Sequence, residues 1–535
     1  MASAGCALLP AASAAATDRK PNVIIFYTDD QGTLDANCYG SKDLYTPTMD
    51  RLAETGVRFT QAYAHFVCCP SRAMLLTGRH PQRCNVNGWA QASPKAGLQL
   101  NMSLKEITIA EALKGAGYKT ALFGKWHLGA HDGYGPADQG FDEFFGFRSG
   151  FIDNYIHNFL HEGFHDLYDG ENEVFMNGQY FPDLVTGRAL QFVDRNKDVP
   201  FFMYVAFNLP HYPEQADAKF DERYKDMKMP RQSEAKVIST VDDRMGMIVR
   251  KLEQLGLREN TIIIFMSDNG ASVEDCSINR DNHPSGFPKG HHYGAFGGGG
   301  NSGKWRGAKA TYYEGGIRVP AIISFPSELP KGAIRDQAIS CMDWFPTVME
   351  LCGVPLPEVK LDGQSLMPII KSANAPTHHQ VMHWHFEQRW AVREGDWKLI
   401  STPHGEPDFL GNLADAEPER RNYIKEQPEI AGKLLKLHDD WIQEVMPRQG
   451  GVAVDAVSGR MDALSGHAIF GTGVRGNGLR FDGFTSRVVC KAAEVPALTN
   501  GLTVEAWIAP QEYSWNWTGW VDREEQSFAA EKFEE

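Results

Sequence analysis

Two apolar runs that each end in oxygen-bearing side chains constrain the fold of this chain most. One run leads into Asp29 and Asp30, and the other leads into Asp268 and Asn269. Continuous apolar runs are typical of parallel strands that are covered on both faces. Open α/β sheets place their sites outside the carboxyl ends of such strands. We therefore expect these four side chains to meet at one edge of a sheet.

The four side chains predict a metal site of a particular kind. Carboxylate and amide oxygens suit a hard cation such as Ca²⁺ or Mg²⁺, whereas Zn²⁺ and copper favour His or Cys ligands. For Asp29 and Asp30 alone, an acidic pair at a helix N-terminus is an equally good interpretation. The second run, with its similar ending, favours the metal site.

The order of apolar segments predicts an α/β fold with a large, mixed, mostly parallel sheet flanked by helices. Residues 134–181 are rich in Gly and aromatic residues and predict a long, loop-rich insertion near the mouth of the site. Residues 276–303, rich in Gly and His, predict a flexible loop. The further predicted strands are 117–129, 200–207 and 321–325, and the predicted helices are 46–56, 104–114, 183–194 and 236–255.

The segment Cys68-Cys69-Pro70-Ser71-Arg72 combines reactive and charged side chains. Pro70 suits the first position of a helix and Ser71 its first turn, so Cys68 is expected at a helix N-terminus. There the amide dipoles and Arg72 favour an anion.

The residues of this segment also allow other interpretations. A buried structural cysteine is the ordinary alternative. A disulfide between neighbouring cysteines would be strained, and the C-x₂-C spacing of a zinc site is absent from the sequence. A cysteine phosphatase would have a longer loop before its arginine, where this chain has Met74.

Further basic residues follow predicted strands. Lys125 and His127 lie at the end of the strand 117–129, and His211 lies between two prolines after the strand 200–207. Taken singly, each is as well explained as a solvated surface charge or a satisfied histidine.

Five separated motifs across residues 21–447 resemble the type I sulfatases of the alkaline phosphatase superfamily, and they imply that superfamily's fold. The motifs are Cys68-x-Pro70-Ser71-Arg72 with Thr77-Gly78-Arg79, Gly124-Lys125-Trp126-His127, Leu209-Pro210-His211, Ser267-Asp268-Asn269-Gly270, and Arg306-Gly307-Ala308-Lys309 followed by Glu314-Gly315-Gly316. One departure is Phe66, where members of the family often carry a small residue.

The resemblance implies a site and a reaction. A maturation enzyme would oxidise Cys68 to formylglycine, whose hydrate attacks the sulfur of a sulfate ester. Lys125 and His127 would bind the sulfate and hold the hydrate, and Arg72 would guide the maturation enzyme and add to the positive charge around the sulfate. His211 or Lys309 would protonate the departing alcohol, and His127 would take the proton that releases sulfate. The implied metal set, for Ca²⁺ or Mg²⁺, is Asp29, Asp30, Cys68, Asp268 and Asn269.

Composition excludes some classes of protein. The formal net charge of −15 argues against a nucleic-acid binder and against a protein of anionic membrane surfaces. No run of apolar residues is long enough for a transmembrane helix. The nine cysteines are too scattered for a disulfide framework, although Cys341 with Cys352, or Cys38 with Cys84, could pair.

The predicted domain order runs from an export segment to a β module. The small, apolar residues at the start of 1–20 predict a leader, and hence a periplasmic or secreted protein. A sulfatase catalytic domain is predicted over 21–372, and a small α+β subdomain over 373–448, with antiparallel strands and a helix at 430–445. Residues 449–535 resemble part of a laminin-G or concanavalin-like sandwich. An exported sulfatase with such a module suggests a sulfated carbohydrate as substrate.

Two other functions remain open from the sequence. The first is a phosphonate or phosphate monoester hydrolase of the same superfamily, because the same machinery accepts either anion. The second is a non-catalytic carbohydrate-binding protein in which Cys68 stays unconverted.

Overall fold

The structure, a computed structural model, describes residues 19–90 and 101–446 and five short strands between residues 452 and 489. A large sheet with helices on both faces forms its centre. The strands of this sheet are β1 (Asn22–Asp29), β2 (Val57–Tyr63), β3 (Lys119–Lys125), β4 (Glu143–Phe147), β5 (Tyr168–Asp169), β6 (Asn172–Glu173), β7 (Phe201–Pro210), β8 (Thr261–Ser267), β9 (Arg318–Ser324), β10 (Ala333–Arg335) and β11 (Ile339–Ser340).

The strand order is β10-β2-β9-β8-β1-β7-β3-β4-β5-β6, and β11 also pairs with β2. The five central strands, β8, β1, β7, β3 and β4, run parallel to one another. On one side β9 runs antiparallel to β8 and β2, and on the other β5 and β6 close the sheet as an antiparallel pair. The prediction of a mixed, mostly parallel sheet flanked by helices is confirmed.

Alternation along the strands explains the two cores. In β1, Val23 and Ile25 pack into one apolar cluster, and Ile24 and Phe26 pack into the cluster on the opposite face. Because successive side chains of a strand point to opposite faces, an unbroken apolar run must be covered twice. The helices supply that cover. They are α1 (Pro47–Glu54), α2 (Cys68–Thr77), α3 (Ile109–Gly115), α4 (Phe181–Asn196), α5 (Asp221–Tyr224), α6 (Arg231–Gln254), α7 (Glu314–Ile317), α8 (Trp344–Cys352) and α9 (Met367–Lys371).

One predicted helix start was wrong, and the predicted loop-rich insertion also contains short strands. The helix predicted over 104–114 begins only at Ile109, because Thr108 and Glu111 form a capping box that starts α3 there, and Leu104 is exposed. The insertion 134–181 is not all loop, since it contains β4, which pairs in parallel with β3.

A second, four-stranded antiparallel sheet follows. Its strands are β12 (Val381–Phe386), β13 (Arg389–Glu394), β14 (Trp397–Ser401) and β15 (Pro407–Asn412), and the helix α10 (Pro428–Val445) packs on it. Leu434 of α10 lies in an apolar cluster with Val392, Leu399 and Leu410 of the sheet. The predicted limits at 372 and 448 stay predictions.

Beyond this sheet, the described strands are short and antiparallel. These strands are β16 (Val452–Val454), β17 (Met461–Ser465), β18 (Ile469–Thr472), β19 (Asn477–Arg480) and β20 (Arg487–Val489). One group pairs in the order β16-β17-β20, and β18 pairs with β19. The laminin-G-like module stays a prediction, and its segment 502–508 lies outside the described residues. The predicted export segment 1–20 also stays a prediction, and its residues 1–18 lie outside the described residues.

Two further sequence-based questions are answered by the structure. Cys38, Cys84, Cys341 and Cys352 are free thiols, so neither suggested pair forms a disulfide. Within the part of the chain that the structure describes, no helix combines the length and apolarity needed to cross a bilayer.

Candidate active site

The site lies at the carboxyl edge of the parallel strands, where the sequence predicts it. The strands β1, β3, β7 and β8 run in the same direction, so the residues at their C-terminal ends meet at one edge of the sheet. Asp29 ends β1, Lys125 ends β3, His211 follows β7 and Asp268 follows β8. Each of these four side chains is buried.

Cys68 enters the same site from a helix. It is the first residue of α2, after Val67 in an extended conformation, as the prediction of a helix N-terminus requires. Pro70 is the third helical residue and not the first, a small correction that the helix tolerates because a first-turn amide needs no helical acceptor. The Cys68 thiol lies 3.3 Å from Asp29 Oδ1.

The start of α2 is fixed by a side-chain clasp. Ser71 Oγ accepts a hydrogen bond of 2.8 Å from the His65 backbone N–H and donates one of 3.1 Å to the Val67 carbonyl. This clasp holds the extended segment before Cys68 against the first turn of the helix. Ser71 thus orients the backbone that carries the thiol.

Two buried cations flank Cys68. Lys125 Nζ donates to Asp29 Oδ2 at 2.6 Å, and Arg72 Nη2 donates to Asp268 Oδ2 at 2.7 Å. Arg72 also lies 3.7 Å from Asp29 Oδ2, and its guanidinium sits over the ring of Tyr27. Both cations are therefore held by the carboxylates of the predicted metal set.

The oxygen set is as compact as a cation site needs. Asp29, Asp30, Cys68 and Asp268 each offer one ligand atom within 4.8 Å of the others. Asn269 Nδ2 donates to Asp30 Oδ1 at 2.6 Å, while its Oδ1 is buried without a partner in the described chain. An unpaired buried acceptor beside three carboxylates is the feature that a hard cation would satisfy. The residues present fit the predicted Ca²⁺ or Mg²⁺.

Lys309 reaches the site from the segment before α7. Its Nζ donates to Asp30 Oδ2 at 2.9 Å and also lies 2.9 Å from Glu274 Oε2. Its backbone N–H donates to the Ala271 carbonyl at 2.9 Å, and the N–H of Ala310 donates to the Phe66 carbonyl. The segment is thereby tied both to the loop after β8 and to the loop before Cys68.

His211 and His127 lie near these charges. His211 Nδ1 donates to the Tyr212 carbonyl at 2.7 Å, which leaves Nε2 facing Asp30 Oδ2 at 3.7 Å. The ring of Phe151 stacks on His211 with centroids 5.2 Å apart. Both ring nitrogens of His127 are buried without a partner in the described chain, and its φ of 57° is rare for a residue with a side chain.

The charges separate the acidities of the carboxyl groups. Burial would raise the pKa of Asp29, but Lys125 and Arg72 outweigh it, and the pKa falls below its ordinary value. Burial raises the pKa of Asp30 to about 7, against the opposing charge of Lys309. Burial, with Asp29 close by, also raises the pKa of Asp268. Neighbouring carboxyl groups whose pKa values are shifted by burial and by nearby charges are typical of functional sites.

The structure also adds residues that the sequence reasoning missed. Glu274 contacts Lys309, and its Oε1 accepts a hydrogen bond of 3.5 Å from the Tyr212 hydroxyl. Tyr204 contacts Arg72, with its hydroxyl 3.4 Å from Nη1. Glu274 lies in a loop without periodicity, so only its position six residues after Asp268 could have drawn attention to it.

Of the histidines at positions 157, 161 and 165 in the long insertion, only one contacts a residue of the site. His161 Nε2 lies 3.3 Å from the Tyr212 hydroxyl, so this histidine does border the site. His157 instead bonds the Gln179 carbonyl, and His165 bonds Glu173. Outside the insertion, His292 pairs with Asp275, and the rings of His291 and Phe287 stack.

Comparisons with known proteins agree with this geometry. The chain matches the family model described as Sulfatase over residues 21–354, and a model described as N-sulphoglucosamine sulphohydrolase, C-terminal, over 304–441. Human arylsulfatase A is 33% identical over 386 residues, covering 68% of this chain and 70% of that protein. N-acetylgalactosamine-6-sulfatase of Canis lupus familiaris is 31% identical over 412 residues, covering 72% of each.

A solved structure extends the agreement to the fold. The crystal structure of Ps i-CgsB, solved also in complex with k-i-k-neocarrahexaose, has a TM-score of 0.67 and 28% identity, covering 79% of this chain and 93% of that one. The fold and these matches together define an enzyme that hydrolyses sulfate esters. The chain belongs to the sulfatase family, as its resemblance to that family predicts.

Proposed function

We propose that this enzyme releases inorganic sulfate from a sulfated carbohydrate, with formylglycine made from Cys68 as its nucleophile. The observation that carries the proposal is the position of Cys68. It begins α2 at the carboxyl edge of the sheet, with its thiol 3.3 Å from Asp29 and with Lys125 bound to the same carboxylate. A nucleophile built there would face both an oxygen-lined cation site and a group of fixed positive charges.

In this proposal, Asp29, Asp30, Asp268 and Asn269 hold Ca²⁺ or Mg²⁺, and the residue at position 68 completes the set. When present, the aldehyde hydrate at position 68 supplies an oxygen nucleophile, and the cation polarises the sulfate oxygens. Occupation of the site would satisfy the buried Asn269 Oδ1 and balance three neighbouring carboxylates. The proposed maturation enzyme is a separate protein that converts Cys68.

The basic residues have separate tasks in this proposal. Lys125 and Arg72, buried and held by carboxylates, form a preorganised cationic wall for the sulfate oxygens. Because both are fixed before substrate binds, they lose little freedom when negative charge develops in the transition state. Lys125 also lies close enough to Asp29 to orient the carboxylate beside position 68.

Two groups serve the departing alcohol in this proposal. Lys309 keeps its proton, because Asp30 and Glu274 raise its pKa well above the ordinary value, even though burial would lower it. His211, whose Nδ1 is held by the Tyr212 carbonyl, presents Nε2. Lys309 can donate its proton to the leaving oxygen. His211 can do so only as the imidazolium, because its neutral form, with Nδ1–H bonded to the Tyr212 carbonyl, has no proton on Nε2; burial lowers the pKa of His211 well below its ordinary value, and Lys309 and Lys125 lower it further. Overall, the ester and water yield sulfate and the free alcohol.

His127 is the proposed proton acceptor on the nucleophile side. Burial lowers the pKa of His127 well below its ordinary value, and Lys125 and Arg72 lower it further. The ring is therefore neutral near pH 7 and has a nitrogen free to accept a hydrogen bond or a proton. Neither nitrogen is engaged by another described residue.

The proposed substrate class comes from the relatives. One similar protein is an N-acetylgalactosamine-6-sulfatase, and one similar structure was solved with a neocarrahexaose. Both ligands implied by those names are carbohydrates. A periplasmic or secreted location, with the C-terminal β module contacting polysaccharide, completes the proposal.

The test begins with mass spectrometry of the peptide that carries Cys68, from protein made with and without a formylglycine-generating enzyme. We expect an aldehyde in place of the thiol, and sulfate release from sulfated sugars only by the converted protein. The Cys68→Ala variant should have no measurable turnover, and substantial activity in it would contradict the covalent role.

A matched pair of substrates addresses the alternatives. For sulfate and phosphate esters of the same alcohol, we expect a higher kcat/KM on the sulfate ester. A higher kcat/KM on the phosphate ester would favour the phosphoester hydrolase. Sugar binding without sulfate release by fully converted protein would favour the non-catalytic interpretation.

A further inference from the structure

Glu274 lies beside the groups that we propose to serve the leaving alcohol. Its Oε2 is 2.9 Å from Lys309 Nζ, and Ser272 Oγ donates to the same oxygen at 3.0 Å. One of its oxygens lies within 4.8 Å of ligand atoms of both Asp30 and His211. Glu274 is therefore on the side of the site that the alcohol part of a substrate must occupy.

Glu274 is also accessible. Its side chain is 39% exposed, whereas that of Lys309 is 8% exposed and that of Asp30 is 2% exposed. The carboxylate is therefore a group that a substrate meets before it reaches Lys309. Because Lys309 is shared between Asp30 and Glu274, its positive charge is already balanced on this side.

Further acidic side chains line a cavity next to Glu274. A small cavity lined by Asp30, Glu214, Glu234 and Glu274 opens between the loop after β7, α6 and the glycine-rich segment around Gly297. Glu234 is 7% exposed, and its Oε1 is buried without a hydrogen-bond partner in the described chain. A buried, unpaired acceptor calls for a ligand or water that brings donors.

We infer that Glu274 determines substrate specificity by selecting a leaving alcohol that is neutral and rich in hydroxyl groups. A carboxylate accepts hydrogen bonds from sugar hydroxyls, and it repels a second sulfate or a carboxylate on the same sugar. The inference rests on the proposed function, because it takes the Lys309 side of the site as the leaving-group side.

The size of the effect follows from Coulomb's law. Two like charges roughly 6 Å apart, in an effective dielectric constant of about 40, disfavour the second anion by about tenfold in binding and in kcat/KM. That dielectric constant lies between the values for a protein surface and for bulk water, as the partial exposure of Glu274 requires. The preference should weaken as salt rises.

The experiment compares two aryl sulfates that differ only in one ring substituent, a meta-carboxylate or a meta-carboxamide. Converted wild-type enzyme should favour the carboxamide in kcat/KM by about tenfold. In Glu274→Gln the ratio should fall close to one, because the amide keeps the shape and removes the charge. The matched control is Glu222→Gln, which makes the same change at an exposed carboxylate on α5. This variant should keep the wild-type ratio.

The ratio of kcat/KM for the two esters distinguishes a specificity role of Glu274 from a purely structural one. Loss of support for Lys309 in Glu274→Gln would lower kcat/KM for both substrates alike and leave the ratio unchanged, which would overturn the inference. Equal rates for the two substrates in the wild type would also overturn it.

A binding measurement distinguishes this failure from failure of the proposed function. If converted protein hydrolyses neither these aryl esters nor any sulfated sugar, the proposed function is refuted, and calorimetry on Cys68→Ala with both esters still decides specificity. Tighter binding of the carboxamide, lost when Glu274→Gln is added, supports the inference. Equal affinities, or a difference that survives Glu274→Gln, overturn it.

Discussion

Lys398 offers the sharpest test of how the two sheets are joined. It lies on β14 of the second sheet, is wholly buried, and binds Glu314 Oε1 at 2.8 Å and Glu419 Oε1 at 2.6 Å. Both carboxylates are also wholly buried, and the Glu314 backbone N–H donates to Glu419 Oε2 at 2.7 Å. One ammonium group thus balances two acids at the junction. The variant Lys398→Met removes the charge and keeps most of the side-chain volume.

The loss of stability in Lys398→Met depends on which partners the two glutamates keep. Glu314 keeps Arg318 at 3.1 Å and the Tyr63 hydroxyl at 2.7 Å, whereas Glu419 loses its ion pair. Burial already raises the pKa of Glu419, with Glu314 adding to the rise, so loss of Lys398 should raise it further. Removing one partner of a buried ion pair typically costs 3–5 kcal/mol, and we expect a loss of about 4 kcal/mol in the free energy of unfolding.

The assay is urea denaturation followed by tryptophan fluorescence. Lys433→Met, which removes a largely exposed ion pair with Glu394, is the matched control and should cost under about 1 kcal/mol. Adding Glu419→Gln to Lys398→Met should restore part of the loss, because the uncompensated acid disappears. A cost for Lys398→Met no larger than for Lys433→Met, or no recovery in the double variant, would refute the reasoning.

Three further predictions concern the site and the helix α10. Chelation with EDTA should abolish sulfate release and lower the melting temperature, and Ca²⁺ or Mg²⁺ should restore both; activity unchanged by exhaustive chelation would contradict a metal at Asn269. His211→Ala should lose more kcat on an alkyl sulfate than on nitrophenyl sulfate if it protonates the leaving oxygen, and equal losses would exclude that role. Burial lowers the pKa of His385 to about 4 and of His438 to about 2. Their folded forms resist protonation, so the stability that they contribute is complete above pH 6.5 and should fall as pH drops towards 4; a flat urea midpoint over that range would contradict this.

The site was predictable where strand geometry brings residues together. Asp29, Lys125, His211 and Asp268 each follow an apolar run, and parallel strands bring such positions to one edge whatever the loops do. Cys68 was found from its motif, which a helix N-terminus explains. The oxygen donors of the predicted metal set follow from two strand ends and their donor chemistry, and Cys68 joins the set through the resemblance; the structure brings Asp29, Asp30, Cys68 and Asp268 within 4.8 Å of one another.

Other features depend on tertiary contacts that no local pattern records. The strand β4 was hidden because Phe144, Phe145 and Phe147 lie in a segment rich in glycine and aromatic residues, and only pairing with β3 makes it a strand. Lys309 reaches the site because its segment is anchored to Ala271 and Phe66. Glu274 depends on that same anchoring, so its meeting with Lys309 could not be predicted from spacing.

The buried junction at Lys398 also bears on catalysis. Glu314, which Lys398 binds, begins α7 only five residues after Lys309, and Gly270 approaches Gly315 so closely that a Cβ at position 270 would lie 1.8 Å from its carbonyl oxygen. The loop after β8 and the segment that carries Lys309 are therefore packed backbone to backbone. In Lys398→Met we expect kcat to fall even in the folded enzyme, because Glu314 loses its ion pair with the second sheet and is then held only by Arg318, Tyr63 and its backbone bond to Glu419. Unchanged kcat in folded Lys398→Met would show that the contacts with Ala271 and Phe66 suffice to hold Lys309.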